Sequence, residues 1–307
     1  MDPLADVLDL SRVRGALMAN VRARAPWGLE LPQSTGASFH AVTSGSAWLR
    51  VEGHEPLQLI QGDLVLLPAG TAHRLSSELR GRCRPFDRSM KEELMTPEGD
   101  LTFEGPGVAT SFVCAGYDYD LEVAQPLMSL LPAVVYVPVD PAQGRDIAAI
   151  VDLLSGEIGA RGAGSRAAAA RLIDLLLIAA IRRWSSRQVD APASWLTALH
   201  DPEIARALAL LHDRPAEPWT VEALAREVHM SRATLARRFT EAVGEPPLSY
   251  LTRWRMHLAA QRLKQTGDTV ETIARDVGYS SEYAFNRAFS RHRGQPPGRY
   301  RRLARAA

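Results

Sequence analysis

The sequence predicts an α+β protein with a small β-barrel or sandwich first, a helical linker next and an all-α domain of two helix-turn-helix units last. Three observations carry that expectation. Between Phe39 and Tyr119, apolar residues run in short or alternating stretches broken by turn formers. Between Ala142 and Trp184 the apolar spacing lengthens to that of helices. From Asp201 onward the pattern is helical throughout, and one segment occurs twice. The expected divisions are residues 1–140, 141–190 and 198–307.

The chain has 307 residues, more than one hydrophobic core comfortably organises. Its 46% hydrophobic and 23% charged residues suit a globular protein and exclude a disordered one. Met1 to Leu10 carry Asp2, Asp6 and Asp9 without a basic stretch, so they do not read as a signal peptide. The apolar run Leu175 to Ile181 meets Arg182 and Arg183 and is far too short to cross a bilayer. A cytoplasmic protein without membrane contact is expected, its two cysteines, Cys83 and Cys114, reduced. The net charge is only +1, but it is unevenly spread. Asp201 to Ala307 hold 18 basic and 12 acidic residues, a net of +6, which leaves −5 on the rest. An acidic body with a basic module is the balance of a chain that binds phosphates.

Phe39 to Val42, Trp48 to Val51, Leu64 to Leu67 and Thr110 to Ala115 read as strands, with a long charged loop from Arg80 to Thr102. Helical spacing then places Ile147, Ile150, Val151 and Leu154 on one face, and Leu172, Leu175, Leu176 and Ala179 on another. That second stripe either forms a homodimer interface or packs on the strands of its own chain. Ser185 to Pro192 read as a linker.

The repeat is the most informative feature. Leu224 to Ser231 matches Ile273 to Ser280 at an offset of 49 residues, Leu235 to Phe239 matches Phe285 to Phe289 at 50, and both copies end in Gly-x-Pro-Pro. Each copy has a short first helix, a turn (His229-Met230 or Gly278-Tyr279), a serine cap and a second helix with two buried apolar residues. The outward positions, open to a DNA groove, are Arg232, Ala233, Thr234, Ala236, Arg237 and Arg238 in the first copy. In the second they are Ser281, Glu282, Tyr283, Asn286, Arg287 and Arg291. Arg237 and Arg287 occupy equivalent positions and suit base or phosphate contact. Asn286 either reads adenine or faces solvent; Glu282 either accepts from cytosine or faces solvent.

From Trp219 to Leu303 the chain resembles the AraC/XylS family of transcription regulators, on Ala225, Ser231, Leu235, Phe239, Gly244, Pro247, Ile273, Gly278, Tyr279, Phe289 and Pro296-Pro297. The resemblance implies sequence-specific binding of double-stranded DNA, activation through RNA polymerase, and a helix Trp254 to Leu263 that joins two recognition helices. It also implies a small-molecule effector and a homodimer.

Gly62 to His73 fits G-x5-P-x-G-x2-H at every fixed position, and this part resembles the cupin-type sensing domain of one branch of that family. The metalloenzyme alternative, a cupin isomerase or oxygenase fused to a DNA-binding domain, lacks support: Val42 stands where H-x-H requires a second histidine, and no glutamate follows at the expected distance. No catalytic residue is assigned. His40, His73 and Cys114 have the donor chemistry for zinc, or else serve as hydrogen-bonded core residues beside a buried thiol. Cys83 lies between Arg82 and Arg84, so with Cys114 it is a candidate redox switch; an ordinary loop cysteine is the alternative. Trp27, Trp48 and Phe112 either line an effector pocket or fill the core.

Overall fold

Apolar strand faces have to be covered, and here two sheets cover one another. The computed structural model describes residues 2–11, 14–96, 100–119, 128, 130–138, 145–160, 162–187 and 194–306. Its strands are β1 (Arg14–Arg24), β2 (Gly28–Leu31), β3 (Ala37–Ser44), β4 (Ser46–Val51), β5 (Leu57–Ile60), β6 (Leu64–Leu67), β7 (His73–Ser76), β8 (Arg84–Pro85), β9 (Asp100–Phe103), β10 (Ala109–Asp118) and β11 (Val135–Val137). One sheet has the order β11-β6-β3-β10-β1-β9, the other β5-β4-β7-β2-β8. Both are open, so the expected barrel is a two-sheet sandwich. Val21, Leu29, Leu49, Leu75 and Phe112 share its buried core.

The loop expected from Arg80 to Thr102 carries structure of its own. It holds β8, β9 and the helix α2 (Arg88–Leu94) between them. Asp87 starts α2 by accepting the Met90 N–H at 2.8 Å, and Met90 is buried. Two longer helices follow, α3 (Arg145–Ala160) and α4 (Ser165–Arg187). Ile173, Leu176, Leu177, Ala180 and Ile181 form the buried face of α4, which packs on β1 and β11. The Tyr117 hydroxyl on β10 fastens it by donating to the Ile173 carbonyl at 2.6 Å.

Among the described residues, 14–119 and 128–187 form one compact unit, and 2–11 with 194–306 form the other. The helices expected as a linker therefore belong to the sandwich. Residues 188–192 of the expected linker lie outside the described residues. The helix α1 (Pro3–Ser11), expected with the first domain, instead belongs to the C-terminal unit. Its Asp6 accepts from His212 Nδ1–H at 3.1 Å, while His212 Nε2 accepts from the Tyr250 hydroxyl at 2.7 Å. An acceptor on one side and a hydroxyl on the other fix the neutral tautomer.

The C-terminal unit continues with a short helix α5 (Trp195–Ala198) and seven more: α6 (Pro202–Asp213), α7 (Val221–Glu227), α8 (Arg232–Val243), α9 (Pro247–Gln265), α10 (Val270–Asp276), α11 (Glu282–Arg293) and α12 (Pro297–Ala306). The joining helix α9 starts at Pro247, where a missing N–H costs nothing at the first helical position. No helix of the described residues is long and apolar enough to cross a membrane.

Candidate functional site

The two copies of the repeat fold by the same local rules. Thr220 caps α7 and Thr269 caps α10, each accepting the N–H three residues on. Ser231 caps α8 through the Thr234 N–H at 3.1 Å, and Ser281 caps α11 through the Ala284 N–H at 3.2 Å. Leu235 and Phe239 anchor α8 from behind; Phe285 and Phe289 do the same for α11, all fully buried. One face of each second helix is thereby fixed and the opposite face is left to solvent.

On α8, Arg232, Ala233 and Arg237 are exposed, with Thr234 and Ala236 half-buried beside them. Thr234 has a second task, since its hydroxyl accepts from Ser231 at 2.8 Å. Arg237 is braced by Glu241 one turn on, at 2.8 Å. Arg238 is placed differently from the sequence expectation. It holds Asp201 at 2.7 Å and Glu203 at 3.3 Å, which ties α8 to the first turn of α6. Burial raises the Asp201 carboxyl, but Arg238 and the Ile204 N–H hold it below its ordinary value.

On α11, Ser281, Glu282, Tyr283, Arg287 and Arg291 are exposed and Asn286 is half-buried. The Tyr283 ring is 72% exposed and lies 5.9 Å beneath the Arg287 guanidinium, a cation–π pair presented to solvent. Asn286 donates to Glu282 at 3.4 Å, so that carboxylate has a neighbour on its own helix.

Arg255 on α9 was not legible as a functional residue. It donates to the Pro215 carbonyl at 2.6 Å and the Glu217 carbonyl at 2.7 Å, with its guanidinium 5.8 Å from the Tyr279 ring. The loop before one helix-turn-helix and the turn inside the other thus meet on one side chain.

In the sandwich, the register places His40 on β3 directly opposite Cys114 on β10, and His73 opens β7 in the facing sheet. His73 reaches that place because the chain turns at Gly70, whose φ is +59° and where any Cβ would overlap Ser34 and Gly36. His40 Nδ1 lies 3.0 Å from Cys114 Sγ, its Nε2 lies 2.7 Å from His73 Nε2, and His73 Nδ1 lies 2.7 Å from the Thr71 carbonyl. The carbonyl can only accept, so His73 carries its proton on Nδ1. His73 Nε2 then accepts from His40 Nε2–H, and His40 Nδ1 accepts from the Cys114 thiol. Burial lowers both histidine pKa values, that of His40 well below the ordinary range, and raises the Cys114 thiol. All three groups are neutral, in a row that crosses from one sheet to the other.

A row is not a tripod. Cys114 and His73 sit at opposite ends of the His40 ring, and among the described residues no group of three His, Cys, Asp or Glu side chains is placed to hold a metal ion. Both cysteines are free thiols. Cys83 is met by Arg50 of β4 at 3.1 Å, while the neighbouring Arg82 and Arg84 are exposed. Beside the row lies a cavity of about 140 Å³, bordered by Val21, Leu29, Leu101 and Ala115 as well as His40 and Cys114. Trp27 does not border it; it stacks on Phe112 at 5.2 Å within the core, and Trp48 is also away from the cavity.

Residues 2–186 match a family described as Cupin, and residues 224–303 one described as Helix-turn-helix domain. An AraC-like transcription regulator of Streptomyces lividans is 35% identical over 98% of this chain and 98% of its own. The transcriptional regulator AlkR of Acinetobacter baylyi is 32% identical over 98% of this chain and 99% of its own. Among solved structures, the DNA-binding domain of the global transcriptional factor AdpA, in complex with a target DNA, is 33% identical. It covers 34% of this chain and 94% of its own, with a TM-score of 0.33.

Proposed function

The chain belongs to the AraC-like transcription regulators, and from that membership we propose that an effector seated in the sandwich sets how α8 and α11 hold promoter DNA. One observation carries the DNA face: two second helices, capped by equivalent serines, present Arg237 and Arg287 at equivalent exposed positions. Activation through RNA polymerase is the family's implication and the reading adopted. The cupin metalloenzyme alternative has no support from the full-length relatives, which are transcription regulators. A cytoplasmic location follows from work on chromosomal DNA.

The test uses duplexes selected from a random-sequence pool, titrated over a range of salt. Arg237→Ala and Arg287→Ala are each expected to weaken binding. A phosphate contact lowers the salt slope by about 0.9 and weakens all sequences alike; a base contact costs about 1–3 kcal/mol and relaxes specificity at one position. Unchanged affinity in both variants would remove these helices from the DNA face.

We assign homodimerisation to the outer face of α3 and α4, where Leu153 and Leu175 are exposed on helices whose other faces are buried. Sedimentation of wild type beside Leu175→Glu tests this, with a monomeric variant expected.

Zinc at His40, His73 and Cys114 is a separate proposal about the same sandwich, supported by two imidazoles and a thiol in one row. It needs the two Nε2 atoms spread from 2.7 Å to about 3.3 Å, the span set by zinc–nitrogen bonds of about 2.05 Å, and the His40 ring swung out from between Cys114 and His73. About one zinc per chain, lost in His73→Ala, would establish it. An oxidant acting at Cys83 is the third candidate signal, supported by the Arg50 guanidinium at its sulfur, and Cys83→Ser would abolish that response.

A further inference from the structure

We infer that the cavity beside the histidine row is a binding site for a small, uncharged, apolar molecule of about benzene size carrying at most one hydroxyl group. The inference rests on the reading of the sandwich as the effector-binding part and specifies which chemistry it takes. The cavity of about 140 Å³ is walled by Val21, Leu29, Leu31, Leu101, Phe86 and Ala115. An apolar space of about this volume is large enough to admit a benzene-sized molecule.

Its polar groups decide the class. His40 and Cys114 are the wall's ionisable groups, and each spends its polar atoms inside the row: Cys114 on His40, and His40 on both Cys114 and His73. The wall therefore offers no charge; its remaining polar side chains are the two serines below and Gln33, whose amide donates to the Ala69 carbonyl at 2.7 Å, so an ionic ligand would lose its hydration without a counter-charge. At the edge of the cavity Ser34 donates to the Gly36 carbonyl at 3.0 Å, and its oxygen lies 3.4 Å from that of Ser38. With its proton committed, Ser34 accepts from Ser38, and the Ser38 oxygen keeps a lone pair for one incoming hydroxyl. Ser38 is itself buried.

Charged molecules have a different place to go. The outer cleft, about 820 Å³, is bordered by Glu30, Arg50, Glu52, Arg74 and Asp87. Leu31 and Phe86 border both spaces, so substitutions there do not separate them; Ala19 and Ala115 border only the inner one.

The experiment titrates the full-length protein near neutral pH with phenol and, separately, with benzoate, an anion on the same ring. Phenol is expected to bind saturably at one per chain and benzoate at least tenfold more weakly. Ala115→Val and Ala19→Leu, made separately and checked for native melting, fill the cavity and are each expected to reduce phenol affinity at least tenfold. If one fails to fold, the other decides. Absence of saturable phenol binding, equal binding of benzoate, or undiminished phenol affinity in the folded filling variants would overturn the inference. DNA affinity measured in parallel keeps the two readings apart. Phenol in the cavity without effect on DNA leaves this site standing and removes the effector reading. DNA affinity that responds to zinc or an oxidant, with no phenol bound, does the reverse.

Discussion

Adjacent arginines on one helix have opposite duties. Arg237 is exposed and braced by Glu241, whereas Arg238 is tied to Asp201, the residue that also caps α6. Arg238→Ala is therefore expected to leave DNA affinity within about twofold at temperatures well below melting, and to lower the unfolding midpoint slightly, because its ion pairs are partly exposed. Urea unfolding beside DNA titration checks both, and a large affinity loss at unchanged stability would return Arg238 to the DNA face. No local signal tells these neighbours apart, because the partner carboxylates lie 35 and 37 residues upstream. A second residue-scale difference lies between the turns. His229 adopts φ +55° where its counterpart Gly278 has +86°. At Gly278 a Cβ would stand 2.7 Å from the Ala216 carbonyl and from Arg255, so Gly278→Ala is expected to destabilise by at least about 1 kcal/mol. His229→Gly is expected to be neutral or stabilising, read from the same unfolding midpoint.

At the scale of elements, α9 matters for what it holds at a distance. Its Arg255 binds two carbonyls of the loop before α7 and touches the turn after α10, so it fixes one helix-turn-helix relative to the other. Arg255→Met keeps the stem but leaves those carbonyls without their donor, at a cost of about 1–3 kcal/mol. Binding to duplexes with both half-sites is expected to fall about tenfold, with single half-site binding unchanged within about twofold; equal loss on both would show a merely structural role. The helices were legible because caps and apolar spacing repeat on a 3.6-residue period. Several strands were not. Arg14 to Arg24 holds a single β-branched residue, Val21, and no aromatic one, yet it forms β1 because β10 pairs with it nearly along its whole length. α2 was hidden in a charged segment in which Met90 is buried.

Over the whole molecule, buried neutral histidines make both units sensitive to acid. Burial lowers the pKa of His40 and His73 in the sandwich. In the C-terminal unit burial lowers that of His212 against the pull of Asp6, and burial with Arg293 and Arg253 brings His257 to about 3. Each folded value lies below the unfolded value of about 6.5, so the unfolded chain takes up more protons on acidification. Stability is complete above that pH and falls below it, by up to about 1.4 kcal/mol per pH unit for each such histidine. Melting temperature is expected to drop between pH 7 and pH 5, less steeply in His257→Gln; a flat profile would place the protonated rings in contact with solvent. By itself the sequence determined the α+β class, the two helix-turn-helix units and the DNA-binding role, because caps, turns and apolar periods are local and here occur twice. It also nominated His40, His73 and Cys114. Only the tertiary structure decided that these three form a row beside an apolar cavity, that Arg238 is tied to Asp201 and Glu203, and that α1 joins the C-terminal unit. Those outcomes depend on contacts between residues 33 to 206 positions apart, which no local period encodes.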